Sequence, residues 1–199
     1  MAKRKKPFFK VLLGLFFVAG LVLLGYAGVA KWVFVLNAGS EKLSMIDPKK
    51  DLVVGECETG PNAHLASLTP DHKKIYAGEN NGDSVTVIDA VNGKTLKRIK
   101  TGKSPKHPIV SPDGRYVLVN HTKELKAVLI DTKTDEIVAT FSAEVKNKDY
   151  KGPIMMHSAF TWDGKYAFVQ NYADRESYVL RIPSLEVVAV IKGDSPAHY

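Results

Sequence analysis

The feature that most constrains this chain is that it repeats itself. A turn marker recurs as Thr69-Pro70-Asp71-His72, Ser111-Pro112-Asp113-Gly114 and Thr161-Trp162-Asp163-Gly164, with its aspartates 42 and 50 residues apart. A basic residue and an apolar strand accompany it: KWVFVLN (31–37), KIYAGEN (74–80), RYVLVNH (115–121) and KYAFVQN (165–171). Next comes an alternating strand ending in Ile-Asp, LSMID (43–47), VTVID (85–89) and AVLID (127–131), with YVLRIP (178–183) as a variant. On this alignment Ile46, Ile88, Ile130 and Ile182 correspond. A further apolar strand closes each unit before a glycine-containing loop.

Short alternating segments separated by turn residues are strands. Asn81-Gly82-Asp83 and Asn92-Gly93 suit hairpins, because Asn and Gly accept positive φ at little cost. Four strands per unit, at a period of about 40–50 residues, are the signature of a propeller blade. The expected fold is all-β: a partial β-propeller of about four four-stranded antiparallel blades over residues 31–199, preceded by one transmembrane α-helix. The first unit begins at its second strand, near Trp32, while Gly193 to Tyr199 repeats the opening of an earlier unit, Gly102 to Pro108. An open fan leaves apolar blade faces in water. The expectation is therefore a fragment of a longer propeller, with a second chain completing the ring as the lesser alternative.

The helix is read from Val11 to Val29, an uncharged apolar run long enough to cross a bilayer. Residues 1–10 form a basic tail, and Lys3-Arg4-Lys5-Lys6 predicts that it stays in the cytoplasm. A cleavable signal peptide competes, with Gly28-Val29-Ala30 as small residues for a peptidase, but its apolar region is ordinarily shorter. The expected arrangement is a single-pass anchor over residues 11–30 in the cell membrane, with the propeller on the periplasmic or extracellular side. The formal net charge of +7 belongs mostly to this anchor. Residues 1–31 hold six of the 28 bases and no acid, leaving +1 for the body. A body without a basic face makes nucleic acid no partner. Cys57 is the single cysteine, which removes an internal disulfide and a thiolate zinc site and leaves a small half-buried hydrophobe.

Histidines recur just ahead of the turn marker. His107 and His157 each lie six residues before their aspartates, and His198 follows Ser-Pro-Ala as His107 follows Ser-Pro-Lys. His64 lies seven before Asp71, one residue out of register. These positions enter the innermost strand at the rim of the channel, so His107, His157, His198 and His64, with Met156 beside them, are the candidate ligands for a metal or an axial haem position. The plainer reading has them bonded to loop carbonyls, and no metal, cofactor or catalytic residue is assigned. Ser111 and Thr69 sit in turns and make no nucleophile. Asp47, Asp89 and Asp131 are read as turn caps. The polar insertion 143–152 is read as solvated, with Tyr150 offered as a contact.

These repeats resemble the YVTN-type β-propeller family, most closely over residues 104–131 (SPKHPIVSPDGRYVLVNHTKELKAVLID). They are also similar to the haem-binding propeller domain of periplasmic nitrite reductases. That resemblance implies channel histidines as iron ligands and names none of them. The expected function is a membrane-anchored scaffold beside another membrane or periplasmic protein, with no cofactor and no enzyme activity. The alternative is a redox propeller holding haem or copper at the channel, and a weaker one is a propeller lyase or hydrolase.

Overall fold

Within residues 31–193, which the computed structural model describes, every regular element is a strand. The first sheet has three strands, β1 (Val33–Asn37), β2 (Lys42–Asp47) and β3 (Leu52–Glu58). The second runs β4 (Ala63–Leu68), β5 (Lys74–Glu79), β6 (Ser84–Asp89) and β7 (Thr95–Lys100). The third is β8 (Pro105–Val110), β9 (Tyr116–His121), β10 (Lys126–Asp131) and β11 (Glu136–Ser142). The fourth is β12 (Ser158–Phe160), β13 (Tyr166–Asn171), β14 (Glu176–Arg181) and β15 (Glu186–Lys192). All neighbours are antiparallel and in chain order. The leading strands β4, β8 and β12 lie beside one another, so the blades converge on their inner edges as propeller blades do. The anchor expected over residues 11–30 lies outside the described residues. Among the described residues no helix is long and apolar enough to cross a membrane.

Strand register corrects the sequence alignment at two points. The last two strands of every blade share one bulge, between Met45 and Ile46, Val87 and Ile88, Leu129 and Ile130, Val179 and Leu180. Leu180 rather than Ile182 is thus the counterpart of Ile130, and Arg181 rather than Pro183 stands where Asp131 does. A two-residue slip keeps every side chain on its own face, so alternation could not detect it. The other correction concerns β5. Lys74 pairs with Asp89 as Tyr116 pairs with Asp131. Lys73 is therefore the basic residue of the marker, and Gly78 and Glu79 correspond to Asn120 and His121.

The turn residues behave as their chemistry demands. Thr69, Ser111 and Thr161 donate their hydroxyls to Asp71, Asp113 and Asp163 at 2.6, 2.6 and 2.7 Å. Asp47, Asp89 and Asp131 accept the backbone N–H of Lys49, Val91 and Lys133 at 2.9, 2.8 and 2.8 Å. These are local side-chain-to-backbone caps.

Because side chains alternate along a strand, each blade has a leading face towards the blade before it and a trailing face towards the blade after it. Three apolar seams result. The first joins Leu43, Met45 and Cys57 to Ile75, Ile88 and Ala90. Burial pushes the Cys57 thiol up, as befits the apolar residue read from the sequence. The second seam packs Tyr76, Val85 and Val87 against Val117, Val119, Val128 and Ile130. In the third, Leu118, Leu129 and Phe141 meet Met155, Val169 and Leu180.

Candidate functional site at the entrance to the inner strands

The leading strands of the second and third blades each begin with a bulge, between Ala63 and Leu65 and between Pro105 and His107. The extra residue is His64 in one and Lys106 in the other. His64 is thereby the counterpart of Lys106, and Leu65 that of His107. An extra residue turns the following side chains to the opposite face. His64 is exposed and lines a groove of about 420 Å³ with Trp32, Phe34 and Leu36, away from the other histidines.

His107 and His157 come together. Their rings lie 5.6 Å apart at nearly a right angle, and the His157 ring is 6.4 Å from that of Tyr172. His107 pairs across the strand with Asn120 and so faces the third seam. His157 lines a depression of about 460 Å³ on the trailing side of the fourth blade, with Phe168, Gln170, Ser177 and Ile191. His198 lies outside the described residues.

The Nδ1 of His107 is 3.2 Å from the backbone carbonyl of Met156. A carbonyl can only accept, so the proton sits on Nδ1 and the lone pair on Nε2. Burial holds the His107 pKa below its ordinary value; His157 and Lys106 push the same way, against the Met156 bond. The ring is accordingly a neutral base at neutral pH. Met155 is fully buried in the third seam, and Met156 contributes its carbonyl oxygen.

Beside this pair lies a set of buried polar atoms that the sequence did not single out. Asn120 is completely buried, yet its Nδ2 and Oδ1 have no hydrogen-bond partner among the described residues. The Oγ of Ser158, on the face of β12 that meets the same seam, is in the same position, and so is the Oε1 of Gln170. Most buried polar groups are paired, so this inner corner is chemically distinct from the dry seam before it. A polar residue at the next-to-last place of the second strand was the available signal. Its weight depends on which face the strand presents.

The insertion 143–152 is solvent-exposed along most of its length, as expected, and is also tied down near its start. The carboxylate of Asp174 accepts the backbone N–H of Lys146 at 3.0 Å and of Asn147 at 2.7 Å. Asn147 donates to the Ala173 carbonyl at 3.2 Å, and the Lys146 ammonium bonds both oxygens of Glu176 at 2.8 Å. The carboxylates of Asp174 and Glu176 thus hold the loop against the β13–β14 turn. Burial raises the Tyr172 pKa, and Tyr150 stands near enough to push it the same way. The histidine pair therefore has an aromatic flank.

The donor set can be matched to a cofactor class. The described residues contain no group of three or more His, Cys, Asp or Glu able to hold a metal ion. A bare copper or zinc site takes three or four such donors. A porphyrin supplies four nitrogens itself and takes one or two from the protein. His107 as the Nδ1–H tautomer, with the His157 ring 5.6 Å away, can supply the one or two protein nitrogens that a haem takes.

Comparison with known proteins points the same way. A family model described as the cytochrome D1 heme domain matches residues 28–180. No curated protein sequence matches. Among solved structures, a chain of Kuenenia stuttgartiensis hydrazine synthase is similar, with a TM-score of 0.69 and 26% identity. The match covers 83% of this chain and 47% of that one, so this chain spans about half the length of its structural neighbour. The expectation of a propeller without a cofactor is overturned by the family match. That expectation rests on repeat chemistry alone, where histidines copied by duplication have no claim to a ligand.

Proposed function

Because this chain belongs to the cytochrome D1 heme domain family, we propose that it is a haem-binding propeller in which His107 would hold the haem through its imidazole. The observation that carries the proposal is the tautomer of His107. Its Nδ1–H is directed to the Met156 carbonyl, which leaves Nε2 as a ligand nitrogen. Orienting a ligating imidazole through its other nitrogen raises its basicity and fixes its ring, as outer partners do in metal sites generally. The lowered pKa serves the same end, since a protonated imidazole cannot ligate. When bound, haem supplies one-electron chemistry at its iron. His157 offers a second imidazole or hydrogen-bond donor on the same side, and Tyr172 closes the flank. This reading takes precedence over the scaffold reading because both the family and the His107 geometry speak for a cofactor.

The test is haem titration of the purified full-length chain, followed by Soret absorbance. The expected result is a saturable spectrum, with affinity reduced at least about tenfold by His107→Ala. His64→Ala, on a separate surface, should bind as the parent does. Absence of any saturable spectrum, or an unchanged affinity in His107→Ala, overturns the assignment.

A further inference from the structure

Each blade has two ends. The turn that holds Asp71, Asp113 or Asp163 and the turn before the last strand lie at the same end. There the carbonyls of Lys73, Arg115 and Lys165 accept the backbone N–H of Ala90, Thr132 and Ile182 at 2.8, 2.9 and 2.8 Å. The histidines and the insertion 143–152 enter at the other end. Contacts between blades join the turns into one continuous face. The Trp32 indole donates to the Val91 carbonyl at 3.3 Å, and the Lys74 ammonium donates to the Thr132 carbonyl at 2.8 Å. Leu185 is buried in the cluster against which Tyr116 packs.

This turn face carries apolar surface that its own architecture does not require. Trp162 is 96% exposed, at the place that Pro70 and Pro112 hold in the preceding blades. Its turn needs no indole, because the Thr161 hydroxyl and the Asp163 carboxylate close it at 2.7 Å, as their counterparts do beside the two prolines. At the margin of the same face, the residue extruded by the bulge of every outermost strand is a large aliphatic. These are Val54, Leu96, Val138 and Val188, between 38 and 52% exposed. Leu96 and Val138 belong to blades with a neighbour on either side, so their exposure does not come from an unfilled joint. Single exposed apolar side chains are ordinary. The same kind of residue at the same place in four blades, together with a fully exposed tryptophan, is a pattern.

Where the chain enters decides what meets this face. Trp32 stands three residues after Val29, the end of the uncharged run Val11–Val29, and its indole is held on the turn face beside Val91. A run of that length and composition suits a bilayer. Three residues span at most about 10 Å, so the surface that takes up the run lies close to the turn face. Tryptophan favours the headgroup level, where its ring is buried and its N–H stays wet. We propose that the turn face of the propeller rests on the lipid bilayer, with Trp162 as an interfacial contact on the fourth blade and the bulge residues Leu96 and Val138 at its margin. The end that carries His107 and His157 then opens on the aqueous side, away from the lipid. This placement uses Val11–Val29 as a membrane segment and nothing of the haem site.

The experiment is fluorescence quenching of Trp162 in the whole chain, residues 1–199, reconstituted into phosphatidylcholine vesicles. The chain has two tryptophans, so Trp32→Phe leaves Trp162 as the single reporter. Its emission should fall strongly with lipids that carry a nitroxide near the headgroup, and only weakly with acrylamide in the water. Should Trp32→Phe unfold the first blade in a circular dichroism melt, the parent minus Trp162→Phe gives the same quantity by difference. Lys123, exposed in the β9–β10 turn, provides the opposite end. With both native tryptophans replaced by Phe, Lys123→Trp should lose emission to acrylamide and not to the lipid nitroxide. Trp162 emission that responds to acrylamide alone overturns the proposal while the vesicles, recovered by flotation with the chain attached, leave the membrane segment standing. Shielding of Trp162 from both quenchers overturns it as well, because protein rather than lipid then covers the face. A chain that does not float with the vesicles removes the membrane segment, and the proposal with it.

Discussion

His121 and Asn120 are consecutive residues of β9 and look into opposite seams. His121 faces the second blade, fully buried, with both ring nitrogens engaged: Nδ1 with the Lys126 carbonyl at 3.0 Å and Nε2 with the Thr101 hydroxyl at 3.1 Å. Asn120 faces the fourth blade, equally buried, with both ends of its amide unpartnered among the described residues. The surroundings differ in the same sense. In the second seam Gly78 occupies the place of Asn120, and a Cβ there would come within 2.9 Å of the Pro105 and Lys106 carbonyls. The missing side chain lets the leading strand of the third blade press onto β5. At the outer end of that seam, Tyr76 and Lys74 clasp Asp135, and burial above all raises the Tyr76 pKa. The third seam has Asn120, His107 and Ser158 at its inner corner instead. Copies of one repeat therefore build two kinds of joint, one closed by backbone approach and satisfied polar groups, the other left polar where the candidate ligand sits.

The largest effect expected from breaking this contrast is in the closed seam. Ile130 is fully buried there, and Ile130→Ala should cost about 2–5 kcal/mol in chemical denaturation. A loss within experimental error would mean that the second seam is not packed as described.

Next comes pH. Burial is the main reason that the His121 pKa is lowered to about 4, against an ordinary value of 6.5. A group depressed on folding binds its proton more readily in the unfolded chain. Its contribution is thus complete above pH 6.5 and lost as pH falls towards 4. At about 1.4 kcal/mol per unit, the loss approaches roughly 3 kcal/mol. His107, lowered in the same direction, adds to it. His121→Asn introduces the residue type found at the equivalent Asn171, and should flatten the stability profile between those pH values. A profile as steep as the parent's would place the acid sensitivity elsewhere.

The smallest effect has the opposite sign. Asn120→Leu installs the residue that the first blade carries at this place, Leu36, and removes an unpartnered buried amide. It should raise stability by about 1 kcal/mol, since replacing an unsatisfied polar group by an apolar one recovers its desolvation cost. If the variant is instead destabilised in the haem-loaded protein, the amide has a partner in the loaded corner.

Much of this was legible in the chain itself. The recurrent Asp71, Asp113 and Asp163 turns and the alternation through Val117, Val119, Val128 and Ile130 determine four-stranded blades, because each is a local rule acting within a few residues. The equivalence of His107 and His157, and the displacement of His64, also followed from counting. Other features were hidden for identifiable reasons. Two adjacent lysines, Lys73 and Lys74, blurred the register of β5 by one residue. The tail after Leu180 slipped by two, a shift that leaves the facing pattern intact. The insertion is solvated as read, but its anchor, Asp174, was hidden because it lies more than twenty residues downstream.

Sequence alone thus determined the repeat, its strand order and the side from which the histidines enter. Those properties rest on backbone chemistry and on period-two alternation, which any single unit carries. Only the tertiary structure decided which seam is closed and which is polar, and the tautomer of His107. Each of these depends on which blade comes to lie against which. A repeated strand does not know its neighbour until the sheets have packed.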